Sequence, residues 1–494
     1  MPSKTSGSDA ACRPVIVWFR NDLRIADNQA LNAACKVAAG GGGTVIPLYI
    51  LDDAAAGEWK PGGAARWWLH NSLQALGSAL GQFGSHLTLR RGPAVEALQS
   101  LADETGAATI FCARRYEPWA IRQERDCKVA LERSGLELKR FGGTLLIEPE
   151  RLETKSGGPY RVYTPFWRGL CQAIAGERPI PPPAEIPVPR RWPRSEKLAS
   201  WGLLPSKPDW ASGFSDHWEP GEKGAHVRLD RFLESAAANY TQDRNRPDLT
   251  ATSRLSPHLA HGEISPRLIW WRVANARDRD PANADGLQTF LKELVWREFS
   301  QHLLFHFPHI PEKPFRPQFE NFAWRHDPAA LTSWQRGMTG YPIVDAGMRE
   351  LWQTGWMHNR VRMIVASFLV KHLLIPWQAG ERWFWDALVD ADLGNNAASW
   401  QWVAGSGADA APYFRIFNPV TQAEKFDPEG NYIRRWIPEL ANAPLSAVHR
   451  PMAIGRAASC GTDSLLVSDS YPLPIVDHAA ARARALAAFA ELKE

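Results

Sequence analysis

The sequence predicts an α/β domain with a Rossmann-like parallel sheet and flanking helices, followed by an all-α domain. Three observations carry this. Short β-rich runs alternate with helical patterns across residues 14–145. A proline-stiffened connector then interrupts the pattern. Beyond about Gly221 the strand signal disappears and long helical patterns take over.

The expected strands are Val15–Phe19, Thr44–Leu51, His86–Arg90, Thr109–Ala113 and Glu137–Phe141. The clearest helix between them carries Leu69, Leu73, Leu76 and Leu80 at i, i+4, i+7 and i+11, one apolar stripe. Strands alternating with helices imply a parallel sheet with right-handed crossovers. No G-x-G-x-x-G follows the first strand and no P-loop is present. Gly40–Gly43 reads as a flexible turn, so this fold alone does not indicate function. The stretch PIPPPAEIPVPRRWP marks an extended connector within a linker spanning 146–220. The helical domain is expected over 221–478 and an Ala-rich terminal helix over 479–494. No repeats or coiled-coil heptads are seen.

The 494 residues are too many for one ordinary core, and 45% hydrophobic with 22% charged residues describes a folded globular chain. Trp is the outlier at 23. Most must be core or interface residues, but such a supply also suits stacking on flat rings. A net charge of +4 permits a nucleic-acid partner without arguing for one. The six cysteines (Cys12, Cys35, Cys112, Cys127, Cys171 and Cys460) lack the spacing of a zinc or redox site, and they fit a reducing cytosol. The apolar run Val15–Phe19 is too short for a signal peptide. The longest greasy stretch, Met363–Pro376, is broken by Lys371 and His372. A soluble cytoplasmic protein is therefore expected.

Four segments of the helical half are too polar to be packing alone. Thr252-Ser253-Arg254-Leu255-Ser256-Pro257 opens a helix with Ser256 as N-cap and Pro257 at the first helical position. It is either a plain cap or an anion site able to hold a pyrophosphate. In Phe290–Phe299, Glu293 and Arg297 stand at i,i+4 with Phe290 on their face. They form a surface ion pair or, given Leu291, Leu294, Val295 and Trp296 around them, line a pocket. Asn359, Arg362, Met363 and Ala366 share one helix face, a poor core stripe and a good cavity lining. Asp390 and Asp392, followed by Asn395 and Asn396, lack the further ligand a metal needs. They read as hydrogen-bond acceptors, with one able to pair with Arg362, or as an ordinary turn.

Taken together, VIVWFRNDLRIADN, TSRLSP, ELVWREF, TGYPIVDAGMRELWQTGWMHNRVRM and APYFRIFNP resemble the DNA photolyase/cryptochrome family along the whole chain, most nearly its bacterial class I cyclobutane pyrimidine dimer photolyases. The resemblance implies an antenna domain over 14–145 and a folded FAD in the helical domain. By position it implies a flavin pocket of Tyr240, Thr252, Ser253, Arg254, Leu255, Ser256, Phe290, Glu293, Arg297, Asn359, Arg362, Asp390, Asp392 and Asn396. Glu293, Trp296, Asn359, Met363 and Trp402 would meet a dimer flipped out of DNA, and Arg244, Arg360 and Arg415 its phosphates. Trp400, Trp377 and Trp324 match the family's electron-relay tryptophans. The implied activity is light-driven dimer repair by electron transfer from reduced, anionic FAD, carried out by a monomer with no metal and no obligate protein partner.

Departures from the family pattern bear on the second chromophore. Phe290 replaces a Trp common beside the flavin. The Asn-Glu and Cys-Lys pairs of folate-binding members read Trp119-Ala120 and Pro311-Glu312, while GGPYRVYTPFWRG resembles deazaflavin-binding members. The antenna is expected to be a deazaflavin or methenyltetrahydrofolate. A cryptochrome photoreceptor and a (6-4) photolyase are the rival readings. Asn359 stands where plant-type cryptochromes tend to carry Asp, and no long signalling tail is written after the helical part. The paired histidines of (6-4) enzymes are missing from WMHNRVRM.

Overall fold

The computed structural model describes residues 13–174, 178–410, 414–450 and 471–492. Cys12, Cys460, the first three residues of APYFRIFNP and residues 451–470 of the expected helical domain lie outside them.

Strands β1 (Val15–Phe19), β2 (Val45–Leu51), β3 (Thr88–Arg91), β4 (Thr109–Ala113) and β5 (Glu137–Phe141) form one parallel sheet in the order β3-β2-β1-β4-β5. The period-2 alternation of β1 explains the layers. Val15, Val17 and Phe19 face α1 (Gln29–Gly41) and α2 (Gly63–Gly81), whose Leu69, Leu73, Leu76 and Leu80 are all buried there. Ile16 and Trp18 face α3 (Ala94–Thr105) and α4 (Pro118–Arg133). The third strand begins two residues later than expected. His86 leaves the ladder and its ring meets Trp192 edge-on at 4.8 Å. The proline-rich connector lies along this layer: Ile180 accepts from the Asp27 N–H (2.8 Å) and Pro187 from the Val45 N–H (2.7 Å).

Helix α5 (Tyr163–Ala173) precedes the connector. After it come α6 (Pro266–Arg279), α7 (Ala284–His306), α8 (Pro342–Thr354), α9 (Asn359–Ser367), α10 (Trp377–Ala387), α11 (Leu393–Ala404) and α12 (His478–Glu491). The largest apolar cluster joins α8, α9, α10 and α11. Two glycines permit close approaches. Gly262, at φ +69°, lies so near the α/β half that a Cβ would sit 1.9 Å from the Asn21 carbonyl oxygen. Gly380 on α10 receives the Trp400 ring of α11, where a Cβ would come within 2.1 Å of Cη2. The greasy stretch noted in the sequence is α9 followed by a π-helical turn, Phe368–His372. No helix among the described residues is long and apolar enough to cross a membrane.

Candidate functional site

Helix α7 brings Phe290, Glu293, Trp296 and Arg297 to the middle of the helical half. The expected Glu293–Arg297 pair is not formed. Arg244, from the other side of the site, reaches Glu293 at 2.6 Å, while Arg297 turns to Glu298 (2.8 Å) and the Thr144 carbonyl (3.0 Å). Burial raises the Glu293 pKa, against the lowering pull of Arg244 and Arg360. Phe290 is buried against Phe232 and Tyr240, with centroids 4.4 and 5.5 Å away. Trp296 lies flat on Tyr163, 3.7 Å between centroids and 5° between planes, so one ring face is already covered.

A second group gathers around Trp356. Its indole N–H donates to the Ser256 hydroxyl (3.2 Å), and the Arg254 and Arg362 guanidiniums lie 4.6 and 5.8 Å from its ring centre. The helix starting here begins at Ser256 itself, with Leu255 in the cap position, one residue earlier than expected. The Ser256 hydroxyl serves the Trp356 indole rather than a backbone cap. Thr252 and Ser253 are half-buried beside it and Leu255 is buried. Arg254 takes a positive φ of +50°, and burial lowers its pKa. Arg362 donates to Asp390 Oδ2 (2.8 Å); the sequence left open which of Asp390 and Asp392 would take it. Asp390 Oδ1 is buried with no partner among the described residues.

The loop between α10 and α11 is partly structural. Asp392 caps α11 by accepting from the Asn395 N–H (2.8 Å) and takes both Gln301 contacts (2.9 and 2.8 Å). Asn396 donates to the Glu381 carbonyl (2.9 Å). Asn359 is exposed at the start of α9, with Arg360 and Met363 half-buried beyond it. Arg360 is held by Asn245 Oδ1 (2.7 Å). Trp402 and exposed Arg415 line one cavity of about 340 Å³ with Ser367, Lys371 and Phe417. Trp400 and Trp377 are buried and Trp324 half-buried. Among the described residues no ring contact joins the three. Trp400 instead meets Phe384 (5.0 Å) and Trp334 (6.2 Å).

A larger, open crevice lies at the C-terminal ends of β1 and β2, beside the reversal of strand order, where ligands of such sheets bind. Trp18, Trp59, Trp119 and Trp385 line it, and Ala391, Asp392 and Leu393 form part of its wall. Trp18 Nε1, two Arg20 nitrogens and Asp53 Oδ1 are buried there without partners among the described residues. Sequence reading singled out Trp119, at a position that bears on the antenna, but not Trp18, Trp59, Trp385 or Trp356. Trp356 stands inside GWMHN, where its neighbours drew the attention; the crevice joins residues hundreds of positions apart and leaves little local signal.

Residues 15–187 match the family model described as DNA photolyase, and residues 290–491 match the FAD binding domain of DNA photolyase. The chain is 53% identical to a deoxyribodipyrimidine photo-lyase of Agrobacterium fabrum, over 97% of this chain and 98% of that protein. It is 36% identical to cryptochrome-1 of Arabidopsis thaliana, over 97% of this chain and 71% of that protein. A solved bacterial class III photolyase from Agrobacterium tumefaciens superposes with a TM-score of 0.92 at 52% identity, covering 99% of this chain and all of that one.

Proposed function

Because the chain belongs to the DNA photolyase/cryptochrome family, we propose that it is a deoxyribodipyrimidine photo-lyase that uses FAD and light to split cyclobutane pyrimidine dimers in DNA. The observation that carries this reading is the 53% identity along nearly the whole chain to such an enzyme. The class I likeness expected from sequence gives way, in this reading, to class III, on the strength of the 52% identity to a chain so described.

The residues fit the cofactor. Asp390 Oδ1 is a buried acceptor without a donor among the described residues, beside Arg362, and a flavin's ring N–H or ribose hydroxyl would answer that need. Tyr240, Thr252, Ser253, Arg254, Leu255, Ser256, Phe290, Arg297, Asp392 and Asn396 complete the proposed pocket. When bound and reduced, FAD supplies the photoexcited electron that opens a cyclobutane ring. The protein's own part is positioning. The Asn359 amide meets a ring nitrogen in any protonation state, and Glu293 holds a proton or hydrogen bond at the dimer. Trp296, Met363 and Trp402 pack against the flipped bases, while Arg244, Arg360 and Arg415 hold phosphates without reading sequence. Trp400, Trp377 and Trp324 would return electrons to the oxidised cofactor. Trp324→Phe should block photoreduction yet spare repair by protein already reduced, as flavin absorbance under blue light would record.

The antenna, a deazaflavin or methenyltetrahydrofolate, is assigned to the crevice at the C-terminal ends of β1 and β2, because its tryptophan walls suit a planar ring and it holds buried polar atoms without partners among the described residues. We further read the protein as a cytoplasmic monomer. The deciding experiment is repair of a thymine dimer in a defined oligonucleotide by purified reduced protein, in blue light and in darkness. Light-dependent loss of the dimer is expected. No repair alongside normal flavin photoreduction would favour cryptochrome signalling, and repair of the (6-4) lesion alone would favour that enzyme.

A further inference from the structure

Helix α9 carries four of the proposed site residues, Asn359, Arg360, Arg362 and Met363, and its first turn is held by an unusual cap. The cap is His358, whose Nδ1 accepts the Arg360 backbone N–H at 3.1 Å. Helix N-caps are ordinarily Ser, Thr, Asp or Asn. An imidazole can do this work only while Nδ1 is unprotonated, which puts the single proton of the neutral ring on Nε2.

Everything around the ring keeps it in that state. It is 3% exposed and its edge meets the Trp356 ring at 6.3 Å. Its backbone N–H donates to Glu350 Oε2 (3.2 Å), which also takes the Tyr432 hydroxyl (2.7 Å). Burial first, then the charges of Arg254, Arg360, Arg362 and Arg244, push its pKa down to about 3. Nε2 is buried with no partner among the described residues. Of the four arginines, Arg244 and Arg362 are paired with acids. Arg254 and Arg360 make no ion pair among the described residues.

An aspartate would cap the same turn, and its charge would neutralise arginines that the site needs for anions. A neutral acceptor avoids that. We propose that His358 is a positioning residue for the reaction: its neutral ring caps α9 through Nδ1, fixing Asn359, Arg360 and Met363, while adding no negative charge beside Arg254 and Arg360. This rests on the photo-lyase reading above.

The test exploits the two ring nitrogens. Asn places its oxygen near where Nδ1 stands, whereas Gln reaches toward Nε2. Repair of a dimer-containing oligonucleotide per absorbed photon would be measured for wild type, H358N, H358Q, H358A and H358D, with bound flavin per chain measured in parallel. H358N should keep repair close to wild type. H358Q and H358A should fall about fivefold, roughly what one lost N-cap amounts to. Loss of flavin in those two alone supports the same assignment, since α9 also carries Arg362. H358D should keep the flavin and bind undamaged DNA several-fold more weakly at low salt, a difference that shrinks as salt rises. Rescue by Gln in place of Asn would overturn the proposal by making Nε2 the working atom, and equal repair by all variants would overturn it too. A wild-type protein that repairs nothing would overturn the photo-lyase reading instead.

Discussion

The two halves of the molecule differ in how some of their buried charges are held. In the α/β half, buried Arg20 and Asp27 are matched by opposite charges. Arg20 and Glu124 pair at 2.8 Å with almost no exposure, and Asp27 is held by Arg267 and Ser265. The helical half pairs Arg362 with Asp390 and Arg297 with Glu298, yet it also buries some charged groups singly. Among the described residues Lys371 meets the Ala404 carbonyl (2.6 Å) and the Phe414 face. Both Glu381 carboxylate oxygens and Asp390 Oδ1 lack partners among the described residues. Burial drives the Lys371 pKa far down and the Glu381 pKa far up, so both tend toward neutrality. Matched ions specify a shape. Isolated ones leave hydrogen-bonding capacity for a ligand or a proton, and they cluster where chemistry is done.

The largest expected effect breaks the matched half. Arg20→Ala leaves Glu124 buried with only Arg140 (3.2 Å) as a cationic partner, and should cost about 3 kcal/mol in denaturant unfolding. An acid series sharpens the contrast in the other half. His302 Nε2 accepts the Tyr160 N–H (3.0 Å), and burial pushes its pKa down to about 3. The unfolded ring takes a proton near pH 6.5, so the folded state binds fewer protons between those values. Stability is therefore full above that range and lost as pH falls through it, by about 2 kcal/mol at pH 5 from this residue alone. His302→Gln keeps the acceptor and should remove that share of the loss, read from melting curves at pH 7 and pH 5. Glu293→Ala should lower repair per photon by about tenfold, some 1.4 kcal/mol, with flavin still bound and melting unchanged. Unaltered repair in that variant would remove Glu293 from the site. Smallest of all, Lys371→Met should shift stability by less than about 1 kcal/mol in either direction, because it exchanges an unmatched amine for an apolar chain of similar size.

Much of the fold was legible because its signals are local. Alternation in Val15–Phe19 and the leucine stripe of α2 need only their own segments to be read. A pair between Arg362 and one of Asp390 and Asp392 was open to sequence reading because these residues stood out as polar in an apolar context, but not which aspartate would form it. Glu293 shows where local reading ends. The i,i+4 rule offered Arg297, but a helix-surface pair is worth only a few tenths of a kcal/mol, and Arg244 approached from 49 positions away. Ser256 gave way for a similar reason, its hydroxyl bonded to an indole 100 positions along the chain. The crevice at the C-terminal ends of the strands showed in sequence through Trp119 alone, since Trp59 and Trp385 meet at 5.5 Å only after folding.

Residues 390–393 run between the proposed flavin pocket and the crevice. Asp390 faces Arg362 on one side, while Ala391, Asp392 and Leu393 wall the crevice on the other. A partition one loop thick works like the fixed mount between two lenses. Two rings seated on either side would have their spacing and mutual tilt set by covalent chain rather than by domain docking. Exchanging one dye for another in the crevice would then retune the colour harvested without realigning the instrument, whereas a single residue inserted into this loop would defocus both seats together.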